Sequence, residues 1–221
     1  MSDIFQEVDE EVRRDKAAEF WKKYQNLILV AAAFLVLASA GFRYWQYERE
    51  KARQAAGDQF QQALSALEAG KLDEAKAGFD TIAAKGPSGY RALAQMAAAG
   101  AKAQSDPQGA IGAFDAVAGD AAIDPLLRDA ARLRAAFLRV DISSEQQKGE
   151  AALTSLSTDN GPYRRVARLG LGALALERKD YDDAAKQFDL VLRDPEVSAE
   201  ERQAASRWLG LVASNRSAPA K

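Results

Sequence analysis

Few residues in this chain have the type and spacing to do chemistry. Asp180, Asp182 and Asp183 crowd into about one helical turn, where they could hold a cation or divide general acid and base roles. They also stand where a helix should begin, and anions there complement the helix dipole, so capping is the better reading. Arg164, Arg165 and Arg168 could form a local basic spot for an acidic partner. Arg128, Arg132, Arg134 and Arg139 spread over several faces of one helix beside Asp129. With Leu133, Phe137 and Leu138 as the buried stripe of that helix, they read as a solvated face.

The composition removes most other options. With Cys 0 and His 0, thiol nucleophiles, Cys/His zinc sites and Ser-His-Asp or Cys-His catalysis are all excluded. The glycines are scattered through helical stretches and never form the G-x-x-x-x-G-K-[S/T] loop that cradles phosphates. The chain is therefore expected not to be an enzyme and to carry no cofactor or metal.

Charge points the same way. Of 32 Asp+Glu and 30 Lys+Arg, seven acids and five bases lie in residues 1–23, which leaves 25 of each in the remainder. A neutral body without a basic block has no electrostatic footprint for a phosphate backbone, so nucleic acid is not an expected partner.

The elements that would position any site begin with an apolar run. Residues 24–42 are 19 positions without a charge, bracketed by Lys22 and Lys23 before and Arg43 after. As a helix this run is about 28 Å long, close to the ~30 Å hydrocarbon core of a bilayer. Its nine large apolar residues, from Leu27 to Phe42, favour insertion by roughly 3–5 kcal/mol. Trp21 and Tyr24 precede the run, and Tyr44, Trp45 and Tyr47 follow it, where amphipathic rings settle at the headgroup layers. The lipid bilayer is thus an expected partner. Two rivals stay open: a core helix of a soluble domain, and a signal peptide cleaved after Ala38-Ser39-Ala40. The acidic leader and the aromatic belt beyond the cut argue against cleavage. Flanking bases barely set the orientation, since Arg43, Arg49, Lys51 and Arg53 balance those before the span. A short leader before one apolar helix and a large body suggests a signal anchor in the plasma membrane, N-terminus cytoplasmic and body translocated.

Beyond Arg43 good helix formers dominate and no alternating strand-like run occurs. Breakers recur at Gly70, Gly86-Pro87, Asp106-Pro107, Asp124-Pro125, Gly161-Pro162 and Asp194-Pro195. In the three Asp-Pro pairs Asp can cap orphan amides with Pro at the first helical position, so all three are expected to be helix starts. Ser198 with Glu201, and Ser143 with Gln146, are candidate capping boxes. Helices are expected at 45–69, 72–85, 89–104, 107–118, 125–140, 145–157, 162–178, 181–193 and 199–214. Short connections make consecutive helices antiparallel hairpins.

An internal repeat runs through these hairpins. Residues 75–82, 110–117 and 184–191 share the form A-x-x-x-F-D-x-[I/V], with starts 35 and then 74 residues apart, and 152–156 occupies the place of a degenerate copy. Ala four residues before Phe puts both on one face, where the small residue admits a neighbouring helix and the ring fills the groove. With Leu171-Gly172, Ala184, Phe188 and Pro195 in sequence, the chain resembles the tetratricopeptide repeats over about residues 51–214, although the signature Trp and Tyr of the first helix are absent. The expected fold is all-α: a single N-terminal transmembrane helix followed by a tetratricopeptide-like helical-hairpin solenoid. Its segments are an acidic cytoplasmic tail (1–23), a transmembrane anchor (24–42), a helical neck with the first repeat helix (43–69), repeats (70–214) and a flexible C-terminal tail (215–221).

The tail, the anchor ending in Gly41-Phe42-Arg43-Tyr44-Trp45, the neck and the degenerate hairpins together resemble the YfgM family, ancillary subunits of the SecYEG translocon in Gram-negative bacteria. That resemblance implies a periplasmic body that associates with the translocon and with a periplasmic chaperone or peptidyl-prolyl isomerase during protein export. An envelope or cell-division assembly scaffold using the same groove is the alternative. Repeats of this class display the first helices of successive hairpins along a groove, and alignment on Ala110 and Ala184 places Gln95, Lys102, Leu169 and Leu176 there. Leu169 and Leu176 read equally well as core.

Overall fold

The structure is a computed structural model that describes the backbone of residues 3–217 and the side chains of residues 18, 21–27 and 29–216. Most side chains of the acidic leader and the last residues of the expected C-terminal tail lie outside it. All regular structure among the described residues is helical. The chain divides into two compact units, Met1–Gln54 and Ala55–Lys221.

The first unit is a single rod. Helix α1 runs unbroken over Asp3–Glu68, so the expected anchor and neck are one helix rather than two. Between residues 24 and 68 only Gly41 and Gly57 weaken it and no Pro interrupts it, and one glycine costs only about 1 kcal/mol. Its apolar stretch has a mean hydropathy of 2.0 with none of it buried, and is long and apolar enough to be a membrane anchor or a signal sequence. Leu27, Leu29, Phe34, Leu35 and Leu37 all stand exposed around the rod. At its far end Phe42 and Trp45 lie 6.0 Å apart and the Arg49 guanidinium sits 3.9 Å over the Trp45 ring.

The second unit is a row of hairpins. The last turns of α1 are followed by α2 (Leu72–Lys85), α3 (Ser88–Lys102), α4 (Pro107–Gly119), α5 (Pro125–Val140), α6 (Gln146–Leu156), α7 (Arg164–Glu177), α8 (Tyr181–Leu192) and α9 (Ala199–Ser217). Four apolar cores tie them together, and each is built by one hairpin plus the first helix of the next. The first joins Ala63, Phe79 and Ala94, and the second joins Ala99, Phe114 and Ala135. The third joins Leu133, Leu153 and Leu171, and in the last Val191 meets Ala205 and Val212 of α9, which closes the row. No hairpin buries its apolar face alone, which is why the sequence must repeat.

The repeated Ala and Phe carry these cores. Ala75, Ala110 and Ala184 are fully buried, with Phe79, Phe114 and Phe188 beside them. In the third hairpin the degenerate copy is shifted from 152–156: Gly149 and Leu153, both buried, take the small and large positions. A Cβ at Gly149 would lie 2.8 Å from the Ala136 carbonyl oxygen, so α6 approaches α5 more closely than its counterparts allow, and Leu rather than Phe fills what remains.

The connections follow local chemistry, with two corrections. Asp106 accepts from the Gly109 amide and Asp124 from the Leu126 amide, each with Pro at the first helical turn. Ser198 and Glu201 form the reciprocal capping box of α9. Asp194-Pro195, by contrast, begins no helix: α8 ends at Leu192 and α9 starts at Ala199. The Asp194 carboxylate is taken by two arginines of α7, and Ser198 does the capping. Nor does Ser143 cap α6, whose first residue is Gln146 after Glu145, with no side-chain cap. The first and fourth hairpins share one turn. Gly70 (φ 75) and Lys179 (φ 61) both adopt the left-handed conformation, and the following amides bond back to Ala66 and Ala175, closing Schellman caps.

Candidate functional site

The acidic cluster resolves as a cap. Asp180 accepts from the Asp183 amide at 3.1 Å at the start of α8, and among the described residues no group of acidic side chains could hold a metal ion.

The basic spot on α7 is consumed internally. Arg164 donates to Asp194 through Nε at 2.5 Å and Nη2 at 2.8 Å, and Nη2 also reaches Glu196 at 2.7 Å. Arg165 reaches Glu201 at 2.9 Å and Arg168 reaches Asp159 at 2.5 Å. The side chains of Arg164 and Asp194 are 12% and 3% exposed, so neither guanidinium nor carboxylate is offered to a partner. The Arg164 guanidinium and the Glu196 amide hold the Asp194 carboxyl down at about 2, while burial opposes them. This ion cluster closes the option of a free basic patch: it clamps the loop between α8 and α9 onto α7. The reading of the α5 arginines is also modified, because Arg139 pairs with Asp115 of α4 and with Glu145.

Two of the hollows on the hairpin unit adjoin α3 and offer room for a partner. A polar cleft of about 550 Å³ lies among α2, α3 and α4, lined by Lys76, Asp80, Gln95, Lys102 and Asp120 with alanines between. Gln95 and Lys102 are therefore brought together, and Lys102 pairs with Asp106 at 3.4 Å. The Gly109 amide, with Lys102 beside it, holds the Asp106 carboxyl below the usual carboxylate range. Leu169 and Leu176 are not near this cleft. They are half-buried against the core that α7, α8 and α9 share.

The second hollow is an apolar groove of about 570 Å³ that the sequence reading missed. Its walls come mostly from first helices, Leu64 and Leu67 of α1, Leu93 and Met96 of α3, and Phe137 and Leu138 of α5, and Phe114 of α4 lines it as well. Leu93, Met96 and Gly100 form one stripe of α3 at helical spacing, whereas Gln95 and Lys102 lie on another stripe that opens toward the second helices. An apolar stripe additional to the Ala92, Ala94, Ala99 and Ala101 buried set was the signal in the sequence.

This geometry, hairpin upon hairpin with shared cores and a groove along the first helices, agrees with comparison to known proteins. The profile of the tetratricopeptide repeat-like domain matches residues 18–162. The chain belongs to that family. No curated protein and no solved structure matches it. A tetratricopeptide repeat-like domain acts as a protein-interaction scaffold with protein partners, and its repeat fold is typically non-catalytic. The family's Leu-Gly position has a visible cause here: a Cβ at Gly172 would stand 2.5 Å from Phe188 Cε1, so glycine lets the repeat Phe lie against α7.

Proposed function

We propose that this tetratricopeptide repeat-like protein is a non-catalytic scaffold of protein export, held in the plasma membrane by residues 24–42 with its N-terminus cytoplasmic and its hairpins periplasmic. Its proposed partners are the SecYEG translocon and a periplasmic chaperone or peptidyl-prolyl isomerase, as the resemblance to the YfgM family implies. Gln95 and Lys102, on the polar cleft, are proposed as partner contacts. The observation that carries the reading is the pairing of an unburied apolar helix with a scaffold of this family in one chain. A membrane tether raises the local concentration of the scaffold, so weak contacts with export components suffice.

The test is affinity purification of the full-length chain from its own membranes in mild detergent. Translocon subunits and a periplasmic folding factor should co-purify, and the Gln95→Glu, Lys102→Glu double variant should recover less of them while remaining folded. Recovery of envelope-assembly or division proteins without translocon subunits would replace this reading by the assembly-scaffold alternative.

A further inference from the structure

We propose that Phe42, Trp45 and Arg49 of α1 form a docking site for the headgroup phosphate of a net-anionic glycerophospholipid. This rests on the reading of residues 24–42 as a membrane anchor and names the lipid that its far end selects.

The three side chains follow one another at i, i+3 and i+7, so they form one stripe of the helix. Phe42 closes the uncharged run, its ring centroid lies 6.0 Å from that of Trp45, and the Arg49 guanidinium sits 3.9 Å over the Trp45 ring. At ~1.5 Å per residue the Arg49 backbone stands about 10 Å beyond Phe42, but its side chain folds back onto a ring whose backbone is only about 5 Å beyond it. The polar layer on each side of a bilayer is about 5–7 Å thick outside the hydrocarbon, so the stripe delivers a cation to phosphate depth. An apolar ring, an amphipathic ring and a guanidinium thus succeed one another in the order of acyl chain, glycerol and phosphate.

The chemistry of the guest follows from what Arg49 leaves unused. One flat face is occupied by the indole, and Arg49 enters no ion pair or hydrogen bond among the described residues. Glu50 is paired with Arg53 at 3.6 Å, and Glu48, next in the chain, lies about 100° round the helix. The guanidinium edge, a rigid fork of N–H donors, therefore remains for an acceptor of matching shape, and a phosphodiester is one. A zwitterionic headgroup brings its own cation to that phosphate, whereas a net-anionic one leaves it uncompensated. Residues 43–53 reinforce the choice with four bases against two acids. The other end of the run differs: Lys22 and Lys23 are compact, strongly hydrated charges without the fork, and Lys23 stands 5.4 Å from the Tyr24 ring.

The full-length chain with Trp45 as its sole tryptophan (Trp21→Phe, Trp208→Phe) is placed in phosphatidylcholine nanodiscs. In these a small, equal share of either phosphatidylglycerol or phosphatidylcholine carries a spin label high on one acyl chain. Spin-labelled phosphatidylglycerol should quench Trp45 as if enriched about two- to fivefold over its phosphatidylcholine counterpart at low salt, the size of one exposed charge contact. The enrichment should shrink at high salt. Arg49→Gln should abolish it, while Lys51→Gln, an equal loss of charge on the opposite side of the helix, should leave most of it. Native mass spectrometry of the unsubstituted chain, released from discs holding both lipids in equal amount, should show phosphatidylglycerol retained by the same factor without any change at Trp208. Equal quenching by the two lipids, or the same loss in Lys51→Gln as in Arg49→Gln, overturns the site and leaves the anchor in place. Quenching by neither lipid overturns the anchor reading and the site together. Loss of the enrichment on adding inorganic phosphate at constant ionic strength also overturns the proposal, by assigning Arg49 to a soluble anion.

Discussion

Replacing Gly172 by Ala isolates the packing role of the family's Leu-Gly position. The new Cβ would lie 2.5, 2.7 and 3.0 Å from three atoms of the Phe188 ring, so that ring must yield by about 1 Å. It has little freedom to do so, being fully buried and stacked on Trp208 with centroids 6.1 Å apart and planes at 10°. Overpacking of this kind costs about 1–3 kcal/mol, against which Ala returns about 1 kcal/mol of helix propensity. The matched control is Gly112→Ala in the interior of α4, where a Cβ meets nothing within 4 Å and only the propensity gain applies. Urea unfolding of the full-length chain in mild detergent, followed by far-UV circular dichroism, should therefore rank Gly112→Ala above the parent and Gly172→Ala below Gly112→Ala by about 1–3 kcal/mol. Trp208 fluorescence should change only in the Gly172 variant. If the two variants prove equally stable, Gly172 is not there to admit Phe188 and the packing account of the repeat is wrong.

Further outcomes follow from the ion cluster, the turns and the rod. Asp194→Asn should destabilise the chain by about 3 kcal/mol, the low end for a broken buried pair because Glu196 still serves Arg164. Because the Asp194 carboxyl is held at about 2, below its ordinary 3.8, its contribution is fully present above about pH 4 and is lost as pH falls toward 2. A stability profile of the parent should show that decline and the Asn variant should lack its Asp194 component; identical slopes would refute the clamp. Lys179→Gly should raise the unfolding free energy by about 1 kcal/mol, since glycine relieves a left-handed φ of 61 that Gly70 already occupies in the first hairpin. Leu35→Arg adds about 3 kcal/mol to an insertion free energy of similar size, so the full-length chain should move from the carbonate-resistant membrane pellet to the supernatant. Retention of that variant in the pellet would show that residues 24–42 do not hold the chain there.

The all-helical architecture was legible because it rests on interactions close in sequence. Breakers and caps act within a turn, so where the capping side chain is left to its own helix, as at Asp106, Asp124 and the Ser198–Glu201 box, the helix start is legible. The recurrence of Ala and Phe at one spacing disclosed the hairpin stack, since each copy solves the same burial problem. The apolar run was equally plain, because its length and its lack of charge are properties of the sequence alone.

Contacts between residues far apart in the chain decided the rest. Asp194-Pro195 has the local form of a helix start, but Arg164, thirty residues earlier, captures its carboxylate, and a buried charge-assisted pair outweighs a cap. The same pairing turned Arg164 and Arg165 from an apparent docking patch into structure. Likewise Gly149 and Leu153 stand in for Ala and Phe only because α6 can settle closer on α5. Gln95 and Leu93 differ by two residues, yet one faces a polar cleft and the other an apolar groove. Helical spacing says that they point apart, and only the placement of α1, α2, α4 and α5 around α3 says what each of them meets.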